Sequence, residues 1–263
     1  MSSSTVRVVG LKKTYNKGTL ALDGVTFSVE KGACFGLVGP NGAGKTTTIN
    51  ILSGTARADY GQVEILGDIM SMDNIVLKRR VGILSEGLDL FEHLTCEEFL
   101  FFVGRIYSLR YDEIKERVNS LLHALALQPD RHRFLSEYSH GMKKKVALAA
   151  AIIHKPDILL LDEPFESIDP VSCSIIRKLI KAIQQRGGTI IITSHNLYMI
   201  ERVCDRVAIM NKGKIVFESK AEDISRLVKS GVGQKFYSSL EEIFIHVVSA
   251  KDHPKDTDEL KWL

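Results

Sequence analysis

Apolar and polar positions fall into three blocks along the chain, each with its own period. In the first, short β-rich runs alternate with glycine or charged turns: "TVRVVG", "VTFSVEKG", "GACFGLVG", "GQVEILG" and "RVGILS". Branched residues bounded by turn residues predict strands. One helix is predicted among them, at about Lys45–Ser53. From Leu94 to about His154 the period becomes helical. In "LTCEEFLFFVGRIYSL" apolar residues recur at helical spacing, and Thr95 with Glu98 three residues on predicts a capping box. "YDEIKERVNSLLHALAL" is amphipathic in the same way. Strand runs then return at Asp157–Leu161 and in "GGTIIITS" and "DRVAIMNKGKIVFE". They alternate with helices predicted at Val171–Gln185 and Leu197–Cys204, and Asn211–Gly213 predicts a tight hairpin.

Apolar runs alternating with helices predict an α/β core, a mostly parallel sheet covered on both faces. The helical block, about residues 87–155, is an insertion in that core. Residues 1–220 form the main domain. Residues 221–263 form an appendage of two short helices and a charged tail, "AKDHPKDTDELKWL". The tail from Ala250 onward has no assigned role.

Composition narrows the function classes only modestly. The chain is 44% hydrophobic and 25% charged, an ordinary globular balance. A net charge of +3 is too weak to argue for a nucleic-acid partner. Cys34, Cys96, Cys173 and Cys204 have neither C-x-x-C nor zinc-type spacing, which reads as reduced thiols in a cytosolic protein. No signal peptide and no membrane span are expected.

The chemistry is concentrated in two stretches. "GPNGAGKTTT", Gly39–Thr48, follows the apolar run "CFGLV" and opens the first helix. The pattern G-x-x-x-x-G-K-[ST] in that context makes a phosphate cradle. Gly39, Pro40, Asn41, Gly42, Ala43 and Gly44 form the loop. Lys45 is expected on the β- and γ-phosphates and Thr46 on Mg²⁺. In "ILLLDEP", Ile158–Pro164, a buried run ends in two carboxylates, which need a cation nearby. Asp162 suits the Mg²⁺ shell and Glu163 suits a base for the attacking water.

A third stretch poses a question. "YSHGMKKKVALAAA" reads as a helix capped by Ser139, yet its first turn holds Lys143, Lys144 and Lys145 and no acid. A helix N-terminus carries about half a positive charge, so lysines there are misplaced. Either they are ordinary solvated lysines, or something anionic sits over that end.

In these motifs and their order, residues from about Val6 to Glu218 resemble the nucleotide-binding subunit of an ABC transporter. The resemblance implies a P-loop NTPase fold with a RecA-like core, an antiparallel β subdomain and an inserted α-helical subdomain. It implies ATP and Mg²⁺ as ligands. Tyr15 matches the aromatic that stacks on adenine, and Gly39–Thr47 and Ile158–Glu163 match the two Walker motifs. Glu166–Asp169, "ESID", matches the loop crossing a dimer interface, and His195 the switch histidine. Tyr138–Met142 resembles the signature, whose Ser139 and Gly141 would contact the γ-phosphate held by a second subunit. Lys144 and Lys145 are then still expected on a solvated face. Three departures stand out: His140 for glycine, Met142 for glutamine, and Glu86 where most members carry glutamine. The last two and the ending "SLEEIFIHVV" resemble the ABC-2 drug- and lantibiotic-exporter subgroup.

The implied function is ATP hydrolysis in a head-to-tail dimer that powers transport through a separate integral membrane subunit. Catalytic roles fall to Glu163, His195 and Lys45, nucleotide contacts extend to Asp169, and metal contacts are Thr46, Glu86 and Asp162. The protein would be peripheral on the cytoplasmic face of the membrane, with no nucleic-acid partner. Phe91, Phe99, Phe101 and Phe102 are candidates for the docking groove. The alternatives are a soluble relative acting on ribosomes or DNA, and a switch that scarcely hydrolyses.

Overall fold

The structure is a computed structural model that describes residues 4–15, 18–88, 90–224 and 239–249. Two sheets form its frame. β1 (Ser4–Tyr15), β2 (Thr19–Glu30), β4 (Tyr60–Ile65) and the short β5 (Asp68–Ile69) make an antiparallel sheet of order β2-β1-β4-β5. The second sheet has the order β10-β9-β3-β8-β7-β6. Its strands are β3 (Cys34–Val38), β6 (Val81–Leu84), β7 (Ile158–Asp162), β8 (Thr189–Ser194), β9 (Arg206–Asn211) and β10 (Lys214–Lys220). All its pairings are parallel except β9 with β10. That pair closes through the expected hairpin, with Lys212 and Gly213 at φ 46° and 77°.

Every residue of β3, β7 and β8 is buried, which is why these strands read as continuous apolar runs. Alternate residues nonetheless face different cores. Phe35, Leu37, Leu160 and Ile191 join α1 (Lys45–Leu52) and the antiparallel sheet on one side. Cys34, Val38, Leu161 and Ile192 join the helices on the other side.

Those helices are α3 (Cys96–Ile106), α4 (Tyr111–Ala124), α5 (His140–Ile152), α6 (Pro170–Gln185), α7 (Leu197–Val203) and α8 (Leu240–Ser249). A one-turn α2 (Ile75–Lys78) precedes β6. The capping box at α3 is present: Thr95 accepts from the Glu98 N–H, and Glu98 accepts from the Thr95 N–H. Of the appendage, α8 buries Leu240 and Ile243 in the helix-side core. The tail from Ala250 lies outside the described residues.

Candidate nucleotide site

The parallel strands deliver their C-terminal ends to one edge of the sheet, and the chemistry collects there. β3 runs into the loop Gly39–Gly44, and α1 starts at Lys45 with Gly44 as its N-cap at φ 106°. A side chain at 44 would be strained by that φ and would also place its Cβ 2.5 Å from the Ala21 carbonyl. The first turn of α1 has no acid, so its positive end stays open. Lys45 is buried, and its Nζ donates to the carbonyls of Gly39 at 2.8 Å and Pro40 at 3.3 Å. The same Nζ is 3.6 Å from Glu163 Oε1.

A cleft of about 400 Å³ opens here, lined by Asn41–Thr47, Tyr15, Glu86, Glu163 and His195. The sequence placed each of these, and the fold brings them together. Thr19, Leu20 and Ala21, which were not foreseen, also line the cleft, as does Glu166, which the resemblance assigns to a loop crossing a dimer interface. Glu163 follows the end of β7 in a left-handed conformation, φ 47°. Its Oε2 is 3.0 Å from His195 Nδ1 and accepts from the His195 N–H at 3.2 Å. The base candidate is therefore held between a lysine and a histidine at the cleft mouth.

Asp162 is almost fully buried, and its Oδ1 accepts from the Thr193 hydroxyl. Burial pushes its carboxyl above the usual range, and bonds from Thr193 and Thr46 work against that shift. Thr193 also accepts from the Glu163 N–H at 3.2 Å, so one buried hydroxyl positions both acids. The only sequence signal for it was a polar residue inside the apolar run "TIIITS". Among the described residues, no three His, Cys, Asp or Glu side chains converge on a metal-sized position.

Ser139, Gly141 and Asp169 do not line this cleft. Ser139 caps α5, accepting from the Met142 N–H at 3.3 Å, and is exposed. A Cβ at Gly141 would meet Ile168 at 3.5 Å, ordinary contact, so nothing inside the chain demands glycine there. Asp169 caps α6 through the N–H groups of Val171 and Ser172, both at 2.9 Å. Bonds from Ser172 hold its carboxyl below the usual range.

Two expectations need correction. Lys144 and Lys145 are not on a solvated face: they are 1% and 7% exposed. Lys144 Nζ donates to the carbonyls of Glu163 at 2.6 Å and Glu166 at 3.0 Å. The turn after Asp162 packs over the second turn of α5, and periodicity along one helix cannot reveal that. Lys143, at the rim, pairs with Glu92. The docking groove also loses Phe99, which is 5% exposed and belongs to the core, while Phe101 is half-buried against Tyr111. Phe91 and Phe102 remain exposed, with their rings 5.3 Å apart, edge to face.

Known proteins agree with this geometry. The ABC transporter family model matches residues 22–166. The linearmycin resistance ATP-binding protein LnrL of Bacillus subtilis is 35% identical over 94% of this chain and 79% of its own. The daunorubicin/doxorubicin resistance ATP-binding protein DrrA of Streptomyces peucetius is 32% identical over 86% of this chain and 68% of its own. Among solved structures, an ATP-binding subunit of an ABC transporter superposes with a TM-score of 0.82 at 29% identity, covering 93% of this chain and 99% of that one. With Lys45, Glu163 and His195 lining one cleft beside the glycine-rich loop, this protein belongs to the ABC transporter family, as an ATP-hydrolysing subunit that powers transport.

Proposed function

We propose that two copies of this chain bind two ATP molecules head to tail, each nucleotide held between Gly39–Thr47 of one copy and Ser139–Gly141 of the other. The observation that carries this reading is the start of α5: it is capped and free of acids, and it lies outside its own chain's cleft. Its Gly141 has no steric reason within the chain. A helix start of that kind suits a polyanion supplied from outside.

Within each site the residues divide the work. Tyr15, 43% exposed, stacks on the adenine. Backbone N–H groups of Asn41–Gly44 hold the phosphates, and Lys45 turns from its loop carbonyls to the β- and γ-phosphates. Thr46 and Asp162 would hold Mg²⁺, with Glu86 at the cleft wall. The fit rests on Asp162: an acid whose charged form is disfavoured by burial gains most from a cation beside it. Mg²⁺, when bound, neutralises charge developing on the phosphates. Glu163 accepts the proton of the attacking water, and His195 orients that carboxylate and touches the γ-phosphate. Asp169 lies near Gly141, next to the intervening Ile168, and joins the interface rim.

The exposed pair Phe91 and Phe102 docks a separate integral membrane subunit, which places the chain peripherally on the cytoplasmic face. Among the described residues, no helix is long and apolar enough to cross a membrane. Export is the direction that the relatives' names, drug resistance and Nod factor export, support.

Light scattering of Glu163→Gln with and without ATP and Mg²⁺ tests the dimer. The variant is expected to become a stable dimer only with nucleotide, because closure persists without hydrolysis. A monomer at saturating ATP overturns the head-to-tail reading. Purification from membranes in mild detergent tests the partner, and a stoichiometric polytopic chain is expected.

A further inference from the structure

Lys144 is among the largest fully buried side chains of the molecule, and no part of the chemistry above uses it. Its ammonium spans two backbone carbonyls of one turn, those of Glu163 and Glu166. That turn carries the base. It is also a costly conformation: Glu163 and Ser167 both adopt left-handed φ, 47° and 55°, where neither is glycine. Such backbone conformations are unfavourable for non-glycine residues and persist only where their surroundings hold them.

Two elements hold this turn from opposite sides. On the sheet side, Thr193 of β8 accepts the Glu163 N–H through both its carbonyl, at 3.1 Å, and its hydroxyl, at 3.2 Å. On the helix side, the grip is Lys144. It stands three residues after Gly141 in the same helix, α5. Burial lowers the pKa of its ammonium, and four carboxylates, Glu166, Glu163, Glu86 and Asp162, work against that shift. A neutral apolar side chain there would leave the half-buried Glu166 carbonyl without this donor and the buried Glu163 carbonyl with only the Glu166 N–H, at 3.2 Å, and would take a cation from those acids.

We propose that Lys144 is a positioning residue: it fixes the turn that carries Glu163 to the second turn of α5, one turn after Ser139–Gly141, so that the start of α5 and the base move as one piece. This rests on the head-to-tail reading for its purpose, since Ser139–Gly141 would touch the nucleotide of the partner copy. Nucleotide capture by one site then sets the base of the other. The misplaced lysine at a helix start is explained by what lies across from it in the same chain.

Steady-state ATP hydrolysis of Lys144→Met and Lys144→Gln tests this. Met keeps the length and removes every donor. Gln keeps an amide with two N–H groups. A base displaced by about 1 Å costs about a hundredfold in rate, so Lys144→Met is expected to lower kcat about tenfold to a hundredfold, with KM for ATP within about threefold. Lys144→Gln is expected within about threefold of the unaltered protein. On a Glu163→Gln background the Lys144→Met loss should vanish, because the residue acts through that base. An unchanged kcat in Lys144→Met overturns the proposal. So does a Gln variant as slow as the Met variant, or a loss that multiplies with that of Glu163→Gln. If Lys144→Met does not fold by thermal melting, Lys144→Ala, which also lacks the donor, carries the test: its kcat is expected to fall at least about tenfold and that loss to vanish on the Glu163→Gln background, and an unchanged kcat overturns the proposal. Failure of Glu163→Gln to dimerise with ATP would remove the dimer while leaving these kcat ratios readable, so the two failures are distinguishable.

Discussion

Helices α1 and α5 begin alike and end up with different surroundings. Neither has an acid in its first turn, whereas α3 opens with Glu97 and Glu98 and α4 with Asp112 and Glu113. Acids at a helix start offset the positive end; α2, α6 and α7 also lack one in the first turn, but α6 has the Asp169 carboxylate as its cap and α2 and α7 are short. Around α1 the chain builds a complete site: a cleft, a buried lysine, and two acids on the neighbouring strand end. Around α5 it builds half of one. Ser139 and His140 are exposed, Gly141 has spare room beside Ile168 and the exposed Asp169 carboxylate, and Lys144 points inward. The difference teaches which surface is self-sufficient and which waits for a second copy.

The sharpest way to break this comparison is Gly141→Asp. An acid there has steric room and complements the helix end, but its Cβ stands 3.9 Å from the Asp169 carboxylate, so the melting temperature of the nucleotide-free protein should hold or fall slightly. Facing phosphate across a dimer, the same carboxylate should reduce ATP hydrolysis about a hundredfold or more. Calorimetry and phosphate release measure both, and unimpaired hydrolysis would mean that the start of α5 meets no anion.

Glu86→Gln probes the self-sufficient side and should have a smaller effect. Glu86 is exposed on the cleft wall and belongs to no cluster of three candidate metal ligands among the described residues. Its replacement should keep ATPase activity within about tenfold, about 1.4 kcal/mol of barrier. A complete loss would make Glu86 an obligatory Mg²⁺ ligand.

The smallest effect is one of stability, from Asp162→Asn. Burial raises the Asp162 carboxyl pKa above its unfolded value, so its ionised form destabilises the folded, nucleotide-free protein. The folded state then binds the proton more tightly than the unfolded chain does. The penalty is full above the raised pKa and fades as pH falls through it. Asp162→Asn should therefore melt about 2–4 °C higher at neutral pH, an advantage that shrinks on acidification. An Asn variant that melts lower at neutral pH would mean that Thr46 and Thr193 outweigh burial.

Much of this was legible in the residue pattern, for identifiable reasons. The cradle is local: its glycines, lysine and threonine are contiguous, and flanking strand and helix signals complete it. The buried strands announced themselves as runs with no polar face. What escaped notice depends on pairings between distant segments. Thr193 looked like a strand threonine until β8 was placed beside β7, where it meets Asp162 and Glu163. Lys144 looked like a surface lysine until residues 163–167 folded over it. Phe99 and Phe102 sit in one apolar stretch, and only the packing of α3 decides that the first is core and the second surface.

The shared central sheet has a consequence for how the molecule opens. Since alternate residues of β3, β7 and β8 belong to opposite cores, neither core can melt without stripping one face of the same strands. Amide protons of Phe35–Val38, Leu159–Leu161 and Ile190–Ile192 should exchange with solvent only through global unfolding, as the slowest in the chain. Amides of β5, a two-residue edge strand with both residues exposed, should exchange through local fraying, orders of magnitude sooner. The strands that present Asp162 and the cradle thus sit in the part of the protein that opens last.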